Sequence, residues 1–440
     1  MKNQRSTAQT LSDSQALASA QAVEIEKPIY GGNFLARLQG KAVFVPLALP
    51  GETVRARITQ NKSGYSTAEL VSIVSAAPER ISPRCPHFGP CGGCNYQHTD
   101  YVTQLAFKRA ILRETLERGG VSAPAEIGML VADPWAYRNR IRVAFDADGY
   151  PGYRGRRSHD LVPIRECPIA APLLITAAQA AAEVLARIPA NLHPHELLLF
   201  CDPEESALLA TLFTAGPSQL RLETVAPQLG ERVPPLKGLE VAAGGRPGRP
   251  PQTLAQWGET SLVYPAAGFE YRVDNGAFFQ VNRWLIDSFV GHVIGDSRGE
   301  LAWDLYAGVG LFARQLAARF AKVIAVESAP TATAALAANL AGSSGEAIAE
   351  STLEFLRRSR GPHPELIIVD PPRTGLDGGV SALIAEVVAP RLVYVSCDPA
   401  TLARDLKVLL AGGYGIESIT LVDLFPQTFH LETVVRLRHS

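Results

Sequence analysis

Two different spacings of apolar residues divide this chain into regions of different structure. Between residues 22 and 75, short alternating segments are separated by glycines and prolines, a pattern typical of the strands of a small β-barrel. From about residue 290 onward, apolar runs alternate with helical periodicity, which predicts a doubly wound α/β sheet. Seven candidate strands lie in this second region, and the last two are expected to form an antiparallel edge: LAWDLYAG, KVIAVE, EAIAE, ELIIVDPP, RLVYVSCDP, IESITLVDLFP and HLETVVRLR.

A cysteine occupies an unusual position at the end of the fifth candidate strand. Cys397 follows the apolar residues 392–395 and precedes leucines that recur at i, i+4, i+7 and i+8, a helical face. Asp398 is placed to cap that helix, and Pro399 suits its first position. The positive end of the helix dipole is therefore expected to lower the thiol pKa from about 8.5 and to favour the nucleophilic thiolate. The structural alternative is a small core residue at the end of a strand.

A glycine-containing loop follows the first strand of the predicted sheet. Residues 306–310, YAGVG, open a helix as a nucleotide-binding turn does, and Glu327 ends the second strand, where a carboxylate can accept both hydroxyls of an adenosine ribose. A G-x-G pair alone is a weak signal. The two features together indicate S-adenosylmethionine or a dinucleotide, and the missing third glycine of G-x-G-x-x-G favours S-adenosylmethionine.

Four further positions are expected to converge at the carboxyl ends of the strands, where open α/β sheets bind ligands. Asp370 ends ELIIVD, Cys397 ends the next strand, Glu432 lies in the final strand, and Gln280 lies in FFQVN just before the sheet begins. Each has a structural alternative: a helix cap, a core thiol, a surface carboxylate and a turn amide. Convergence of all four predicts a catalytic site instead.

Three of the six cysteines are crowded into one loop rich in glycine and proline. Cys85, Cys91 and Cys94 are spaced C-x5-C-x2-C. Three thiolates so close together need a shared cation, because like charges repel and unprotected thiols oxidise. Cys167 is the best candidate for a fourth ligand, and four cysteines fit either tetrahedral zinc or an iron–sulfur cluster. A redox-active C-G-G-C pair is a third interpretation, whereas Cys201 is predicted to be buried and inert.

Composition limits the class of protein without naming a partner. The 440 residues are 47% hydrophobic and 19% charged, as in a soluble protein of two or three domains. No apolar run approaches the ~20 residues needed to cross a bilayer. The N-terminal residues lack the apolar core of a secretory signal and are typical of a polar tail. We therefore expect a cytoplasmic protein.

Local basic patches, and not the net charge of −1, suggest a nucleic-acid partner. In residues 133–157, arginines are interleaved with tryptophan and tyrosine, a combination that can neutralise phosphates and stack on unpaired bases. The structural alternatives are an edge hairpin with a charged face here and a solvated basic face on the barrel. The basic residues of the predicted barrel are Lys27, Arg37, Lys41, Arg55, Arg57 and Lys62.

Five sequence motifs together resemble a known enzyme family. FFQVN, DLYAGVG, DPPRTGL, VSCDPATLARDL and HLETV resemble the motifs of the S-adenosylmethionine-dependent RNA uracil-C5 methyltransferases, which make 5-methyluridine in tRNA and ribosomal RNA. The resemblance runs from about residue 22 to the C-terminus. Members with an N-terminal TRAM barrel and a 4Fe–4S cluster act mainly on large-subunit ribosomal RNA. The resemblance therefore implies a monomer that acts on 23S rRNA in preference to tRNA.

The same resemblance implies a fold and a division into domains. A Rossmann-like class I methyltransferase domain of the α/β class would end the chain, after an OB-like TRAM β-barrel and a central α+β RNA-binding domain that carries a metal cluster. The expected boundaries are residues 1–20 for a disordered tail, 21–78 for the barrel, 79–285 for the central domain and 286–440 for the methyltransferase domain.

Roles carry over from the motifs residue by residue. Cys397 would be the nucleophile and Glu432 the base. Many relatives have asparagine where this chain has Leu311, which places a polar cofactor contact there in doubt. The cofactor and the target base would be lined by Gln280, Tyr306, Glu327 and Asp370. A 4Fe–4S cluster, with zinc as the less favoured metal, would be held by Cys85, Cys91, Cys94 and Cys167.

The implied chemistry explains why a thiol and a carboxylate are needed. Carbon 5 of uracil is a poor nucleophile, but addition of the Cys397 thiolate to carbon 6 turns the ring into an enolate whose carbon 5 can accept a methyl group. Glu432 would then remove the carbon-5 hydrogen. Two other functions remain open: methylation of a nitrogen in RNA or protein, since DPPR is close to the N/D-P-P-Y loop, and a non-catalytic RNA-binding assembly factor.

Overall fold

The computed structural model describes residues 20–189, 192–216, 220–244, 251–359, 361–376 and 379–439. The chain divides into two compact units. The first comprises residues 1–111 together with 427–430, and the second comprises residues 112–426 together with 431–440. The tail that we predicted to be disordered lies, through residue 19, outside the described residues.

The first unit is built on a closed five-stranded barrel. Its strand order is β1-β2-β3-β5-β4, with β1 pairing antiparallel to β4 to close the ring. Alternate apolar side chains from every strand fill the interior, among them Val23, Phe34 and Val54. This alternation is the pattern that predicted a barrel. The strands are β1 (Gln21–Ile29), β2 (Asn33–Leu38), β3 (Lys41–Pro46), β4 (Thr53–Asn61) and β5 (Tyr65–Ser75).

Residues 427–430 complete the first unit by hydrogen bonding to the chain that follows the cysteine loop. The N–H groups of Asn95 and Tyr96 donate to the carbonyl oxygen of Gln427 at 2.8 and 3.1 Å. The buried side chain of Gln104 also donates to Gln427 Oε1 at 2.9 Å and accepts from the Gln427 N–H at 3.1 Å. Gln104 belongs to helix α1 (Tyr101–Arg118), which forms where the periodicity predicted it.

The second unit contains a seven-stranded sheet in the order β13-β12-β11-β10-β7-β8-β9 and a separate hairpin, β14-β15. Leucine and alanine side chains of this sheet pack against two helices, α2 and α3. The elements are β7 (Arg140–Phe145), β8 (Pro151–Arg154), β9 (Leu161–Pro163), α2 (Pro172–Leu185), β10 (Glu196–Cys201), β11 (Leu208–Thr214), α3 (Leu222–Arg232), β12 (Leu236–Ala243), β13 (Gln252–Gly258), β14 (Ser261–Ala266) and β15 (Phe269–Asp274).

The C-terminal part of the second unit is an eight-stranded, mostly parallel sheet in the order β18-β17-β16-β19-β20-β22-β21-β6. β22 runs antiparallel to both neighbours. The elements are β6 (Gly128–Leu130), α4 (Ile286–Ile294), β16 (Gly299–Leu305), α5 (Leu311–Leu316), β17 (Phe320–Glu327), α6 (Pro330–Leu340), β18 (Gly345–Ala349), α7 (Thr352–Arg358), β19 (Leu366–Val369), α8 (Val380–Val387), β20 (Arg391–Ser396), α9 (Pro399–Ala411), β21 (Tyr414–Val422) and β22 (Glu432–His439).

The architecture confirms the predicted fold class for the barrel and for the doubly wound sheet. All seven candidate strands of the sheet form, and the last two pair antiparallel as expected, but β6 and not β21 lies at the edge of the sheet. The sequence did not predict β6, whose three residues, Gly-Met-Leu, are too few to show alternation and pair in parallel with β21. Strands β10 and β11 form the predicted strand, turn and strand around Cys201, which is fully buried as expected.

Candidate active site

The thiol of Cys397 lies between strand β20 and helix α9, as the sequence predicts. The side chain of Asp398 caps the helix by accepting the backbone N–H groups of Ala400 and Thr401 at 2.9 and 3.1 Å, and Pro399 is the first helical residue. The strand is buried and apolar, so it fixes the sulfur at the end of the sheet while the cap fixes the direction in which the helix leaves. Cys397 is only partly exposed.

The sheet places two carboxyl groups beside this thiol. Ser396 pairs with Thr433 in the antiparallel ladder, so the next position along each strand sets Cys397 opposite Glu432. Asp370 follows β19, the parallel neighbour of β20 on its other side. Three groups that are far apart in sequence are therefore neighbours at the carboxyl ends of the central strands. This is the convergence that we predicted for Asp370, Cys397 and Glu432.

These neighbours raise the thiol pKa, and the prediction of a lowered pKa is wrong. Burial, followed by the negative charges of Glu432 and Asp370, raises the pKa of Cys397 to about 12, and the guanidinium of Arg373 only partly opposes them. The helix terminus supplies roughly half a positive charge. Loss of solvation on burial is the largest cause of the raised thiol pKa, and together with the negative charge of the neighbouring carboxyl groups when they are ionised it outweighs the effect of the helix terminus. At neutral pH the thiol is therefore protonated in this site.

The two carboxyl groups are themselves perturbed. Burial raises the pKa of Asp370 to about 7. Glu432 is 5% exposed, and burial together with the Asp370 charge raises its pKa well above the usual range, with Arg373 opposing the shift. Buried carboxyls of raised pKa beside a nucleophile are typical of proton-transfer sites.

The predicted cofactor loop forms at the end of the neighbouring strand, β16. The backbone N–H of Asp370 donates to Leu305 O at 3.4 Å, so this loop begins beside the carboxyl groups. Tyr306 has φ of 65° and Gly310 has φ of 93°. A left-handed tyrosine is uncommon, and strained residues of this kind concentrate at functional sites.

Glu327 reaches this loop from the end of β17. Its Oε2 accepts the N–H of Gly308 at 2.9 Å, and its Oε1 accepts the N–H groups of Ser328 and Ala329 at 2.8 and 2.7 Å. These bonds orient the carboxylate at the start of α6 and leave lone pairs for further donors. Binding of a nucleoside ribose by the loop and the carboxylate stays a prediction.

Two buried residues of the site were not predicted from sequence. Asp304, fully buried, precedes the cofactor loop, and its pKa is raised well above the usual range, first by burial and also by the charges of Asp370 and Glu327. Asn139, also fully buried, donates to the backbone oxygen of Gln280 at 2.9 Å and so fixes the FFQVN segment. Neither residue is recognisable from sequence spacing. Asn139 binds a residue more than a hundred positions away, and the raised pKa of Asp304 is due first to burial.

Leu311 is part of the core. It is 7% exposed and packs in the main cluster of apolar side chains, while its carbonyl oxygen accepts from the hydroxyl of Tyr271 at 3.0 Å. Leu311 therefore contributes apolar packing at the start of α5.

The cysteines predicted to bind metal do not form a ligand set in the described residues. No group of three or more His, Cys, Asp or Glu side chains in that part of the chain is arranged to hold a metal ion. No disulfide joins the cysteines either. Within the first unit, Cys94 Sγ accepts from Gln97 Nε2 at 3.3 Å and Cys91 Sγ accepts from the Gly93 N–H at 3.4 Å. Cys167 belongs to the second unit.

The predicted RNA-binding patches are partly occupied by ion pairs. On the barrel, Arg57 pairs with Glu69 at 2.7 Å, with both side chains largely exposed. The arginine-rich segment forms β7 and β8, where Arg142 Nε donates to Glu196 at 2.7 Å. Exposed pairs of this kind contribute little to stability. RNA binding by these patches stays a prediction.

Comparison with known proteins gives the family. The family model of tRNA (uracil-5-)-methyltransferases matches residues 363–440, and the TRAM domain model matches residues 18–71. An uncharacterised RNA methyltransferase of Streptomyces avermitilis is 34% identical over 94% of this chain and 97% of its own length. A 23S rRNA (uracil(1939)-C(5))-methyltransferase, RlmD, of Halomonas elongata is 32% identical over 93% of this chain and 88% of its own.

The chain belongs to the RNA uracil-C5 methyltransferase family. As an RNA (uracil-5-)-methyltransferase it uses S-adenosylmethionine as methyl donor, and the loop of Tyr306 and Glu327 fits that ligand. The fold of this methyltransferase agrees with that of the tRNA (uracil-54, C5)-methyltransferase of Pyrococcus abyssi, solved with S-adenosyl-L-homocysteine, at a TM-score of 0.77, 23% identity and coverage of 94% and 100% of the two chains. The helices of the described residues include none with the length and apolar character of a membrane span.

Proposed function

We propose that this methyltransferase forms 5-methyluridine in 23S rRNA through a covalent bond between Cys397 and carbon 6 of the target uracil. The observation that supports this most is the grouping of Cys397, Glu432 and Asp370, where β20 and β19 end and the antiparallel β22 begins, next to the cofactor loop. The 23S substrate is suggested by the name of the Halomonas relative, and tRNA is the alternative. We further propose that the enzyme acts as a cytoplasmic monomer.

The raised pKa values suggest an order of proton movements. The Cys397 thiol gives its proton to the ionised carboxylate of Asp370, and its sulfur attacks carbon 6, so that the ring electrons move toward the oxygen on carbon 4. S-adenosylmethionine, when bound, supplies an electrophilic methyl group, which is activated by the positive charge of the sulfur that carries it. Carbon 5 is then bonded to both hydrogen and methyl, and Glu432 in its ionised form accepts that hydrogen as a proton. The electron pair of the broken carbon 5–hydrogen bond forms the double bond between carbons 5 and 6, and the bond to Cys397 breaks with its electrons leaving on the sulfur.

Burial suits Glu432 to this role because a carboxylate of raised pKa is a stronger base once it is ionised. Asp370, with a pKa near 7, is the group beside the thiol that exchanges a proton most readily at neutral pH. The guanidinium of Arg373 stabilises the thiolate and the carboxylate charges. Gln280, held by Asn139, is proposed to contact the target base.

The test separates the two chemical roles. With an RNA that carries 5-fluorouridine, the wild-type enzyme is expected to form a covalent adduct stable in denaturing gels, because no proton can leave carbon 5. Cys397→Ala should form none and should not methylate ordinary RNA, whereas Glu432→Gln should trap ordinary uridine RNA as an adduct. Methyl transfer retained by Cys397→Ala would refute the proposed mechanism. Tritium release from 5-tritiated uridine RNA distinguishes carbon-5 from nitrogen methylation.

The RNA target is tested separately. Deletion of the gene in the source organism should remove 5-methyluridine from one position of 23S rRNA. Mapping of 5-methyluridine across ribosomal and transfer RNA would show this loss. Loss confined to tRNA would refute the proposed substrate but not the chemistry.

We also propose that Cys85, Cys91, Cys94 and Cys167 bind a 4Fe–4S cluster. The shared loop of three cysteines supports this, as do the N–H donors to two of their sulfurs, which are the kind of hydrogen bonds that cluster-bound thiolates accept. Protein purified without oxygen should contain about four iron atoms per chain and absorb broadly near about 400 nm. Stoichiometric zinc in a colourless protein would refute the cluster.

A further inference from the structure

Helix α9 carries a buried carboxylate, Asp405, which binds residues other than Cys397. Its side chain is 3% exposed. Oδ2 accepts the hydroxyl of Tyr394 on β20 at 2.7 Å and the backbone N–H of Leu376 at 2.7 Å. Oδ1 accepts Nε of Arg404 at 2.8 Å. A fully buried carboxylate with three donors is held in one orientation, so the groups that it binds are held as well.

The same helix binds the loop that follows Asp370, residues 373–376. The guanidinium of Arg404 donates to the carbonyl oxygens of Thr374 at 2.8 Å and of Leu376 at 3.0 Å. The hydroxyl of Thr401 donates to Arg373 O at 3.3 Å. With the bond from Leu376 N–H to Asp405, the helix that starts at the nucleophile holds this loop at four points.

A glycine allows the loop and the helix to approach this closely. Gly375 has φ of 73°, and a Cβ there would lie 2.5 Å from Asp405 Oδ2 and 2.7 Å from the Arg404 Nη2 atom. Three backbone C=O groups and one N–H group of the loop bond to the helix, and the glycine permits this contact, so the loop is held in a defined position.

The loop carries Arg373, the positive group that acts on both reacting side chains. Its charge opposes the negative charges around Cys397 and Glu432. An electrostatic effect of this kind depends on distance, and the flexible loop backbone alone does not fix the distance.

We infer that Asp405 is a positioning residue: together with Arg404, it holds the loop of residues 373–376 on helix α9, so that Arg373 is kept beside Cys397 and Glu432. The inference rests on the proposed role of Cys397 as nucleophile. Asp405 touches no reacting atom and acts only through Arg373. Removal of the Asp405 carboxylate is therefore expected to slow the reaction only as far as it displaces Arg373.

The experiment measures the pH dependence of adduct formation with 5-fluorouridine RNA. Asp405→Asn replaces one acceptor oxygen by a donor and so loses either the bond from Arg404 or the two bonds from Tyr394 and Leu376. The adduct should form about tenfold more slowly at pH 8, and the rising limb of the pH profile should shift upward by about one pH unit. In an Arg373→Gln background, the same substitution should add less than about twofold, because the residue through which it acts is already gone.

A matched control separates positioning from general destabilisation. Tyr414→Phe removes the bond from a buried hydroxyl to Ala389 O, 3.0 Å long, in another part of the same sheet. It should lower the unfolding midpoint without shifting the pH profile. If Asp405→Asn does not fold, Arg404→Gln tests the same loop, because it removes the two bonds to Thr374 and Leu376.

Two outcomes would overturn the inference. One is an unshifted pH profile in the folded variant, and the other is an equal slowing with and without Arg373. Failure of the proposed function is distinguishable, because the wild-type enzyme itself would then form no adduct.

Discussion

Replacing Asp370 by asparagine should stabilise the protein at alkaline pH. Asparagine keeps the size of the side chain but cannot ionise. In the wild-type protein, burial raises the pKa of Asp370 from 3.8 to about 7. The folded protein then binds this proton more tightly than the unfolded chain does, so the contribution of Asp370 to stability falls as pH rises from about 4 to about 7.

The expected size follows from that shift. A displacement of roughly three pKa units corresponds to about 4 kcal/mol of unfolding free energy in full. By the linkage relation, about 2–3 kcal/mol of this stabilisation by Asp370 is lost between pH 5 and pH 8. The side chain is partly exposed, and screening by water makes these values upper bounds. Removing the charge also lowers the pKa of Glu432, because Asp370 is one of the groups that raise it. This second effect has the same sign.

The assay is urea unfolding followed by tryptophan fluorescence. All four tryptophans lie in residues 112–426, so their emission reports the unit that contains the site. The difference in stability between Asp370→Asn and wild type should grow by about 2–3 kcal/mol from pH 5 to pH 8. Asp148→Asn, in an exposed turn, is the matched control and should follow the wild type at every pH. Parallel curves for Asp370→Asn and wild type would refute a raised pKa at this position.

Two further substitutions test the local structure around the site. Asp398→Ala removes the cap of α9 and should cost about 1 kcal/mol of unfolding free energy in the same urea assay, whereas Asp398→Asn, which keeps an acceptor, should cost much less; equal losses would argue against capping. Gly310→Ala places a Cβ 2.7 Å from a leucine side chain at a φ of 93°, so it should weaken S-adenosylmethionine binding in calorimetry by more than about tenfold. Gly342→Ala is the control for this substitution. Gly342 also has a positive φ, 71°, but a Cβ there would have no atom within 4 Å. Unchanged cofactor binding by Gly310→Ala would contradict the reasoning.

Local patterns were sufficient to predict most of the C-terminal sheet. Most strands from β16 to β22 are runs of apolar residues that are buried in the sheet, so sequence shows them directly, whereas β18 contains no buried residue. The cap of α9 was equally visible because Asp398 and Pro399 act within their own helix. The three-residue strand β6 was missed because its pairing with β21 is supplied by a segment almost three hundred residues later.

The site was predictable as a set of residues but not as an electrostatic environment. Cys397 and Asp370 follow from where strands β20 and β19 end, and the antiparallel pairing of β20 with β22 brings Glu432, the first residue of β22, beside them. The buried Asp304 and the supporting Asn139 were not apparent, because their importance comes from burial and from partners contributed by other elements. The domain boundaries and the metal ligands remain predictions.

The pKa of the Cys397 thiol shows why the helix-dipole argument from sequence gave the wrong direction of shift. The helix terminus favours a thiolate, but Glu432 and Asp370 disfavour it, and their pKa values decide how strongly. While Glu432 is protonated, it carries no charge to repel the thiolate, yet in that state it cannot accept the carbon-5 proton. The two halves of the proposed reaction thus need opposite protonation states of one carboxyl group. A proton must leave Glu432 after the sulfur has attacked, and the charge of Arg373, which favours both anions, is the feature of the site that makes this sequence of states accessible.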